Sequence, residues 1–143
     1  MAKRKAPFLK LLILAVLVVK GSMHGYAIYK DIVFHTKEKW KPSIGTIYRI
    51  LNEMNREGLL EKKILKSSGR KISQYTITEK GMKVFIETSR PTLIKMSTIL
   101  TTFIEAYKKL LEERGEKLNK EAVDRLTKLN NAIENYLSLY SNT

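Results

Sequence analysis

Residues 41–60 read KPSIGTIYRILNEMNREGLL, and this stretch decides the fold. Pro42 and Ser43 are helix-start signals, and Gly58 stands where a helix-ending residue belongs. At about 100° per residue, the helix predicted over 43–57 has one apolar and one polar side. The apolar side comprises Ile44, Ile47, Ile50, Leu51 and Met54, and the outward side comprises Gly45, Arg49, Asn52 and Arg56. Glycine inside a helix costs about 1 kcal/mol relative to alanine, so we expect something to approach the backbone closely at Gly45.

The segments around this helix predict a winged helix-turn-helix. Apolar patterns predict a first helix over 7–19 and a second over 24–34. After the third helix, LLEKKILKSSGRKISQYTIT contains two β-favouring runs, 60–65 and 72–77, around a basic tip near Gly69. Three helices followed by a β-hairpin indicate a mainly α fold with a small β-wing.

The charge distribution indicates a polyanionic partner for the first half of the chain. The 143 residues have a formal net charge of +13. Residues 1–80 contain 17 Lys or Arg against 6 Asp or Glu, whereas residues 81–143 contain 10 against 8. Nucleic acid is the commonest partner for such asymmetry, an anionic membrane surface is the second candidate, and a lysine-rich soluble surface is the third reading. The absence of cysteine excludes a disulfide framework and a thiolate zinc site.

The N-terminal segment imitates a signal peptide, because MAKRK is followed by the apolar run LLILAVLVV. Lys20 follows at once, and no small-residue cleavage pattern comes after it. A bilayer span needs about 20 apolar residues, which is more than this run has. We therefore expect a core helix, no membrane partner and a cytoplasmic protein associated with the nucleoid.

The second half of the chain predicts long helices with apolar seams. Leu93, Met96, Leu100, Phe103, Tyr107 and Leu110 repeat at spacings of three and four, as do Ala122, Leu126, Leu129, Ile133, Tyr136 and Tyr140. We expect an interruption near Pro91 and a chain reversal at Gly115. A lone helical hairpin cannot bury both seams, so a second chain or the first helix is expected to cover them. The predicted domains are 1–86, a winged helix-turn-helix DNA-binding domain, and 87–143, a C-terminal helical dimerisation region.

Three segments carry a family resemblance: FLKLLILAVLVVKGSMHGYAI, then PSIGTIYRILNEMNREGLL, then a wing ending in SQYTITEKG. In that order and spacing, residues 8–85 resemble the PadR family of transcriptional regulators. The resemblance implies a homodimeric winged-helix DNA-binding regulator, usually a repressor released by a small-molecule effector. It implies DNA contacts from Tyr26 on the second helix, from Ser43, Gly45, Thr46, Tyr48 and Arg49 on the third, and from Arg70 and Lys71 in the wing. Many members have proline after the third-helix tyrosine, where this chain has Arg49.

The residue types at these positions suit a duplex. A helix N-terminus attracts a phosphate, and the Ser43 and Thr46 hydroxyls can donate to phosphate oxygens. Arg49 matches guanine O6 and N7, although a solvated pair with Glu53 is the alternative. Tyr48 has two readings, a phosphate contact or packing beside the core. Arg70 and Lys71 are expected at the DNA backbone or minor groove.

No enzyme activity, cofactor or metal site is expected. His24, Asp31 and a serine have no fixed relation, no glycine-rich nucleotide loop is present, and the two histidines are not clustered. The predicted function is a sequence-specific DNA-binding regulator. A sequence-nonspecific architectural DNA-binding protein is the alternative, and an adaptor for an acidic protein is a third. An effector pocket lined by Trp40, Phe103 and Tyr107 is a family expectation, and plain core packing of these aromatics is the other reading.

Overall fold

The computed structural model describes residues 7–36 and 41–143. The helices are α1 (Pro7–Lys20), α2 (Gly25–His35), α3 (Ile44–Arg56), α4 (Glu79–Arg114) and α5 (Lys120–Ser141), and the strands are β1 (Met23–His24), β2 (Leu60–Ser67) and β3 (Arg70–Ile77). The predicted fold class, mainly α with a small β-wing, is confirmed. The chain divides into two compact units, one ending at Leu93 and the other comprising Ile94–Thr143. The functional domains assigned to 1–86 and 87–143 stay a prediction.

The core of the first unit is built on α1, as its apolar sequence predicts. The fully buried side chains come from α1, α2, α3 and the base of the hairpin: Leu9, Ile13, Leu14, Leu17, Ile28, Ile32, Ile47, Leu51, Met54, Leu60 and Tyr75. Each such aliphatic side chain contributes about 1.5–3 kcal/mol of burial free energy. The apolar side predicted for α3 is therefore its packing surface, except that Ile44 is partly exposed.

Local hydrogen bonds determine both ends of α3. The Ser43 hydroxyl caps the N-terminus by accepting from the Thr46 amide at 3.1 Å. At the C-terminus, Gly58 adopts a left-handed φ of +81°, and the Leu59 amide donates to the Met54 carbonyl at 2.9 Å. This reversal satisfies carbonyls that the helix would leave unpaired. It also directs the chain straight into β2, which places the wing next to α3.

The wing is a tight antiparallel hairpin whose strands are longer than predicted. β2 and β3 pair from Leu60 opposite Ile77 to Ser67 opposite Arg70. Ser68 and Gly69 both have positive φ, 52° and 77°, which is the geometry of a two-residue type I′ turn. The strands therefore continue to the basic tip.

The short strand β1 escapes a sequence-based prediction. Met23 pairs with Tyr75 and His24 with Gln74, giving a three-stranded sheet in the order β1-β3-β2. The second helix begins at Gly25, one residue after the approximate start predicted at His24, and His24 occupies the N-cap position. The His24 side chain makes no capping hydrogen bond. Two residues are too few to show strand alternation, so this pairing is visible only in three dimensions.

The expected interruption near Pro91 is wrong, because α4 continues through that residue to Arg114. Proline removes one helical hydrogen bond, and in an exposed stretch of a 36-residue helix the remaining bonds maintain the helix. At the start of α4, Thr78 Oγ1 accepts from the Gly81 amide at 3.0 Å and donates to the Gly58 carbonyl at 2.7 Å. A side chain at Gly81 would collide with the Leu59 carbonyl, so this glycine permits the close contact.

The second unit contains the later part of α4 and all of α5. Gly115 has a φ of +70° and ends α4, so the predicted chain reversal at Gly115 is confirmed. Asn119 caps α5 by accepting from the Ala122 amide at 2.9 Å. All of residues 94–143 are described, and none of them is buried. Among the helices that the structure describes, none combines the length and apolar character that a membrane crossing requires.

Candidate nucleic-acid interface

Gly45 lies on the outward side of α3, and nothing inside the molecule requires a glycine there. A Cβ atom built at this position would have only the Ser43 hydroxyl oxygen within 4 Å, at 3.9 Å. Its φ is not in the left-handed region either. Internal packing and backbone strain therefore do not explain Gly45. The expectation that a partner approaches this backbone from outside stays a prediction.

The two hydroxyls at the start of α3 form a pair with each other. Ser43 Oγ and Thr46 Oγ1 lie 2.9 Å apart, and Ser43 Oγ also accepts from the Thr46 amide. Ser43 is exposed and Thr46 half-buried. The two hydroxyls are thus held next to each other at a first turn of α3 that faces solvent. A phosphate arriving at this turn would find hydroxyl donors and backbone N–H groups in one place.

Tyr48 packs beside the core, which is the second of its two readings from sequence. Its ring lies against the backbone of Gly25, where an added Cβ would be 2.5 Å from the Tyr48 Cε1 atom. The side chain remains 36% exposed. Tyr48 also lies close enough to Tyr75 to act on its ionisation: burial, and secondarily Tyr48, raise the pKa of Tyr75 above its ordinary value. Tyr48 therefore holds α2 against α3.

Arg49 is on the outward side of α3 and is paired with the next turn of the same helix. Its Nη1 atom donates to Glu53 Oε2 at 2.9 Å. The side chains of Arg49 and Glu53 are 53% and 38% exposed. Further along the same side, Asn52 and Arg56 are exposed. The structure thus places a planar cation and two further polar groups along one helical stripe.

The wing tip concentrates cations that would repel each other without a partner. Arg70 lies opposite Ser67, and Lys71 lies directly opposite Lys66 in the antiparallel register. Like charges at opposed cross-strand positions are destabilising, which indicates a role other than stability. Lys62 and Lys63 continue the positive charge along β2. Sequence reasoning named Arg70 and Lys71 but missed the direct pairing of Lys66, whose signal was the hairpin register.

Tyr26 lies in the first turn of α2 and is 54% exposed. Its ring stacks on Tyr29 with centroids 5.9 Å apart, and Lys30 Nζ lies 5.7 Å from its centroid. Sequence reasoning did not name Lys30, although its spacing of four residues from Tyr26 places both on one side of a helix. This corner combines an aromatic hydroxyl with a cation, a pair suited to a phosphate.

Some expectations fall on other parts of the chain. The aromatic Trp40, expected in an effector pocket, lies outside the described residues. In the second unit, Tyr107 lines a mainly apolar cavity of about 420 Å³ between α4 and α5, and Phe103 does not line it. Across the described ranges, no group of three or more His, Asp or Glu residues could hold a metal ion.

The comparison with known families decides the identity of this fold. The model of the transcriptional regulator PadR-like family matches residues 13–87, which is more than half of the chain. The chain belongs to the PadR family. PadR proteins are transcriptional regulators, so DNA-binding regulation of transcription is the general function of this chain. The resemblance to the PadR family is thereby confirmed.

Solved structures agree with the PadR assignment. A PadR-like transcriptional regulator from Bacillus cereus is 27% identical, with a TM-score of 0.57, and the match covers 66% of this chain and 90% of that one. A putative transcriptional regulator from Thermoplasma acidophilum is 25% identical, with a TM-score of 0.56, covering 72% and 98%. A PadR family transcription regulator from Clostridium difficile, at 24% identity and a TM-score of 0.54, covers 68% and 98% and supports the fold. No curated protein matches the chain in sequence.

Proposed function

We propose that this PadR protein is a homodimeric, sequence-specific repressor that binds a palindromic DNA operator and is released by a small-molecule effector. One observation carries the proposal. Within the first unit, the outward side of α3 and the hairpin that directly follows it expose polar and cationic side chains, and the opposed Lys66 and Lys71 of the hairpin do not stabilise the fold. The proposed place of action is the nucleoid in the cytoplasm.

The proposed recognition element is the start of α3, lying in the major groove. Gly45 admits the DNA backbone, and the hydroxyls of Ser43 and Thr46 with the free amides of the first turn receive a phosphate. Arg49, one turn further on, reads a guanine. Tyr48 contributes by holding α3 in place, and its hydroxyl contacts a phosphate.

The proposed backbone contacts come from two flanking positions. Arg70 and Lys71, together with Lys66, bring three cations of the wing tip to the DNA backbone or minor groove. Tyr26 at the start of α2 contacts a phosphate on the opposite flank. These contacts are blind to sequence and set the register in which α3 meets the base pairs.

The proposed dimer rests on the composition of the second unit. A unit of 50 residues with no buried side chain has no core of its own, yet its helices carry large apolar residues. Among those at least one-third exposed are Met96, Ile99, Phe103, Leu129, Ile133, Tyr136, Leu137 and Tyr140. A surface of this kind is an interaction surface, and a second copy is the simplest partner. The cavity at Tyr107 is the proposed effector position.

The test is a selection of bound duplexes from fragmented genomic DNA, followed by titration of the selected sequence at several salt concentrations. We expect an inverted repeat with half-site centres about 10 base pairs, or a multiple, apart. We also expect affinity to fall steeply with salt. Ile133→Glu with Tyr136→Glu should give a monomer by light scattering and weaker operator binding. A protein that binds selected and random duplexes equally would instead favour the architectural alternative.

A further inference from the structure

Glu53 is an acidic residue on a helix surface that is otherwise neutral or basic. Its Oε2 atom accepts from Arg49 Nη1 at 2.9 Å, and its side chain is 38% exposed. A carboxylate beside a proposed DNA-reading cation weakens the attraction for phosphates. An exposed pair of this spacing also contributes little to stability. Neither general affinity nor folding therefore accounts for the residue.

The geometry of the pair suits selection between bases. Arg49 has five N–H donors, and the bond to Glu53 restricts the guanidinium while leaving donors for guanine O6 and N7. The Glu53 carboxylate retains acceptor capacity, and the amino group of cytosine is a donor in the major groove. At a matching step, both charged groups of the pair keep hydrogen-bond partners.

On a mismatched sequence, the Arg49–Glu53 pair makes binding less favourable. There, Arg49 gains most by turning to a phosphate, and this movement breaks its bond to Glu53. The carboxylate then faces the polyanion without its cation, and like charges in proximity are costly. The acidic residue thus acts against the wrong DNA more strongly than against the right DNA, which is how repulsive elements create specificity.

We propose that Glu53 is a specificity-determining residue, which orients Arg49 toward a guanine, accepts from an adjacent cytosine amino group and penalises DNA at which Arg49 turns to a phosphate. This inference rests on the proposed function of α3 as the recognition helix.

The experiment compares wild type, Glu53→Gln and Glu87→Gln on the selected operator and on a random duplex of equal length. Glu87 is an exposed carboxylate of α4, so Glu87→Gln is the matched control for the change in net charge. We expect Glu53→Gln to lower the ratio of operator to random affinity about tenfold, which is about 1.4 kcal/mol, mainly by tighter binding to random DNA. Glu87→Gln should leave the ratio unchanged. A repeat of the selection with Glu53→Gln should show relaxed choice at one or two adjacent base pairs in each half-site.

The outcomes separate this inference from the proposed function. If wild type selects an operator and Glu53→Gln selects it equally sharply, the proposed role of Glu53 is overturned and the proposed function stands. Equal changes in the Glu53 and Glu87 variants overturn it as well, because they would reduce the effect to net charge. A wild-type protein without any preferred sequence overturns both proposals. Thermal unfolding of Glu53→Gln at the wild-type temperature shows that the fold is intact, and Glu53→Ala provides a second variant with the same expected loss of discrimination.

Discussion

The ring of Tyr48 on α3 packs directly against the backbone of Gly25 at the start of α2. A Cβ atom at Gly25 would lie 2.5 Å from the Tyr48 Cε1 atom and 2.9 Å from Cζ, distances that real Cβ contacts do not show. The contact joins α2 and α3, the two helices of the helix-turn-helix. The orientation of α3 therefore depends on the absence of one side chain from α2.

Gly25→Ala should destabilise the first unit. Gly25 does not have a left-handed φ, so alanine suits the backbone, and the atoms nearest to its methyl group would be those of the Tyr48 ring. Forced overpacking of this kind costs about 1–3 kcal/mol. Urea unfolding followed by circular dichroism measures the loss. In the double variant with Tyr48→Ala, alanine at position 25 should no longer be costly, and a cost that persists would contradict the assigned contact.

Gly45→Ala, unlike Gly25→Ala, should leave the fold stable and should weaken DNA binding. The site has room for a Cβ, and replacing a helical glycine with alanine at a compatible position stabilises a protein by about 0.4–1 kcal/mol. The same methyl group would separate the backbone from an approaching phosphate, so we expect operator affinity to fall about tenfold, or about 1.4 kcal/mol. Fluorescence anisotropy and thermal unfolding on one sample measure both quantities. Unchanged affinity would remove Gly45 from the interface.

The predictable parts of this fold are those that depend on neighbouring residues. Ser43 and Gly58 cap α3 through bonds to residues within five positions, and Gly69 specifies the hairpin turn through its own φ, so the sequence contains these signals directly. β1 depends on Tyr75 and Gln74, about 50 residues away, and two residues offer no periodicity. The interruption predicted at Pro91 is wrong because the hydrogen bonds of the neighbouring turns keep the helix continuous. A rule based on the proline alone does not include those bonds.

The candidate site also combines features that neighbouring residues determine with features that depend on tertiary contacts. The outward stripe of Gly45, Arg49 and Arg56 follows from helical periodicity alone. The packing of Tyr48 on Gly25 is a tertiary contact, and periodicity leaves both readings of that tyrosine open. The opposition of Lys66 and Lys71 requires the strand register, which the exact turn geometry determines. Base contacts form only in the complex with DNA, so the sequence of the chain alone does not specify them.

Tyr75 should make the first unit sensitive to alkaline pH. Burial, and then the neighbouring Tyr48, raise the pKa of Tyr75 above its ordinary value of 10.0. The unfolded chain therefore loses this proton at a lower pH than the folded one. The resulting stability is fully present below pH 10 and is lost as pH rises through the folded pKa. We expect the stability of wild type relative to Tyr75→Phe to decline as the pH rises above 10, measured by urea unfolding. Since both proteins share all other titrating groups, a constant difference would contradict the raised pKa.

Arg70→Ala with Lys71→Ala should weaken binding to every duplex alike and reduce its salt dependence. The slope of log affinity against log salt concentration is negative. Each lost phosphate contact makes it shallower by about 0.9. Lys95→Ala with Lys128→Ala removes the same charge from exposed positions of α4 and α5 and is the matched control. Titrations between about 50 and 500 mM salt, a range of about one decade, give both slopes. Because the proposed contacts of the wing do not depend on base sequence, the ratio of operator to random affinity should stay constant while the salt dependence decreases. A change in that ratio with an unaltered slope would instead assign the wing tip to base recognition.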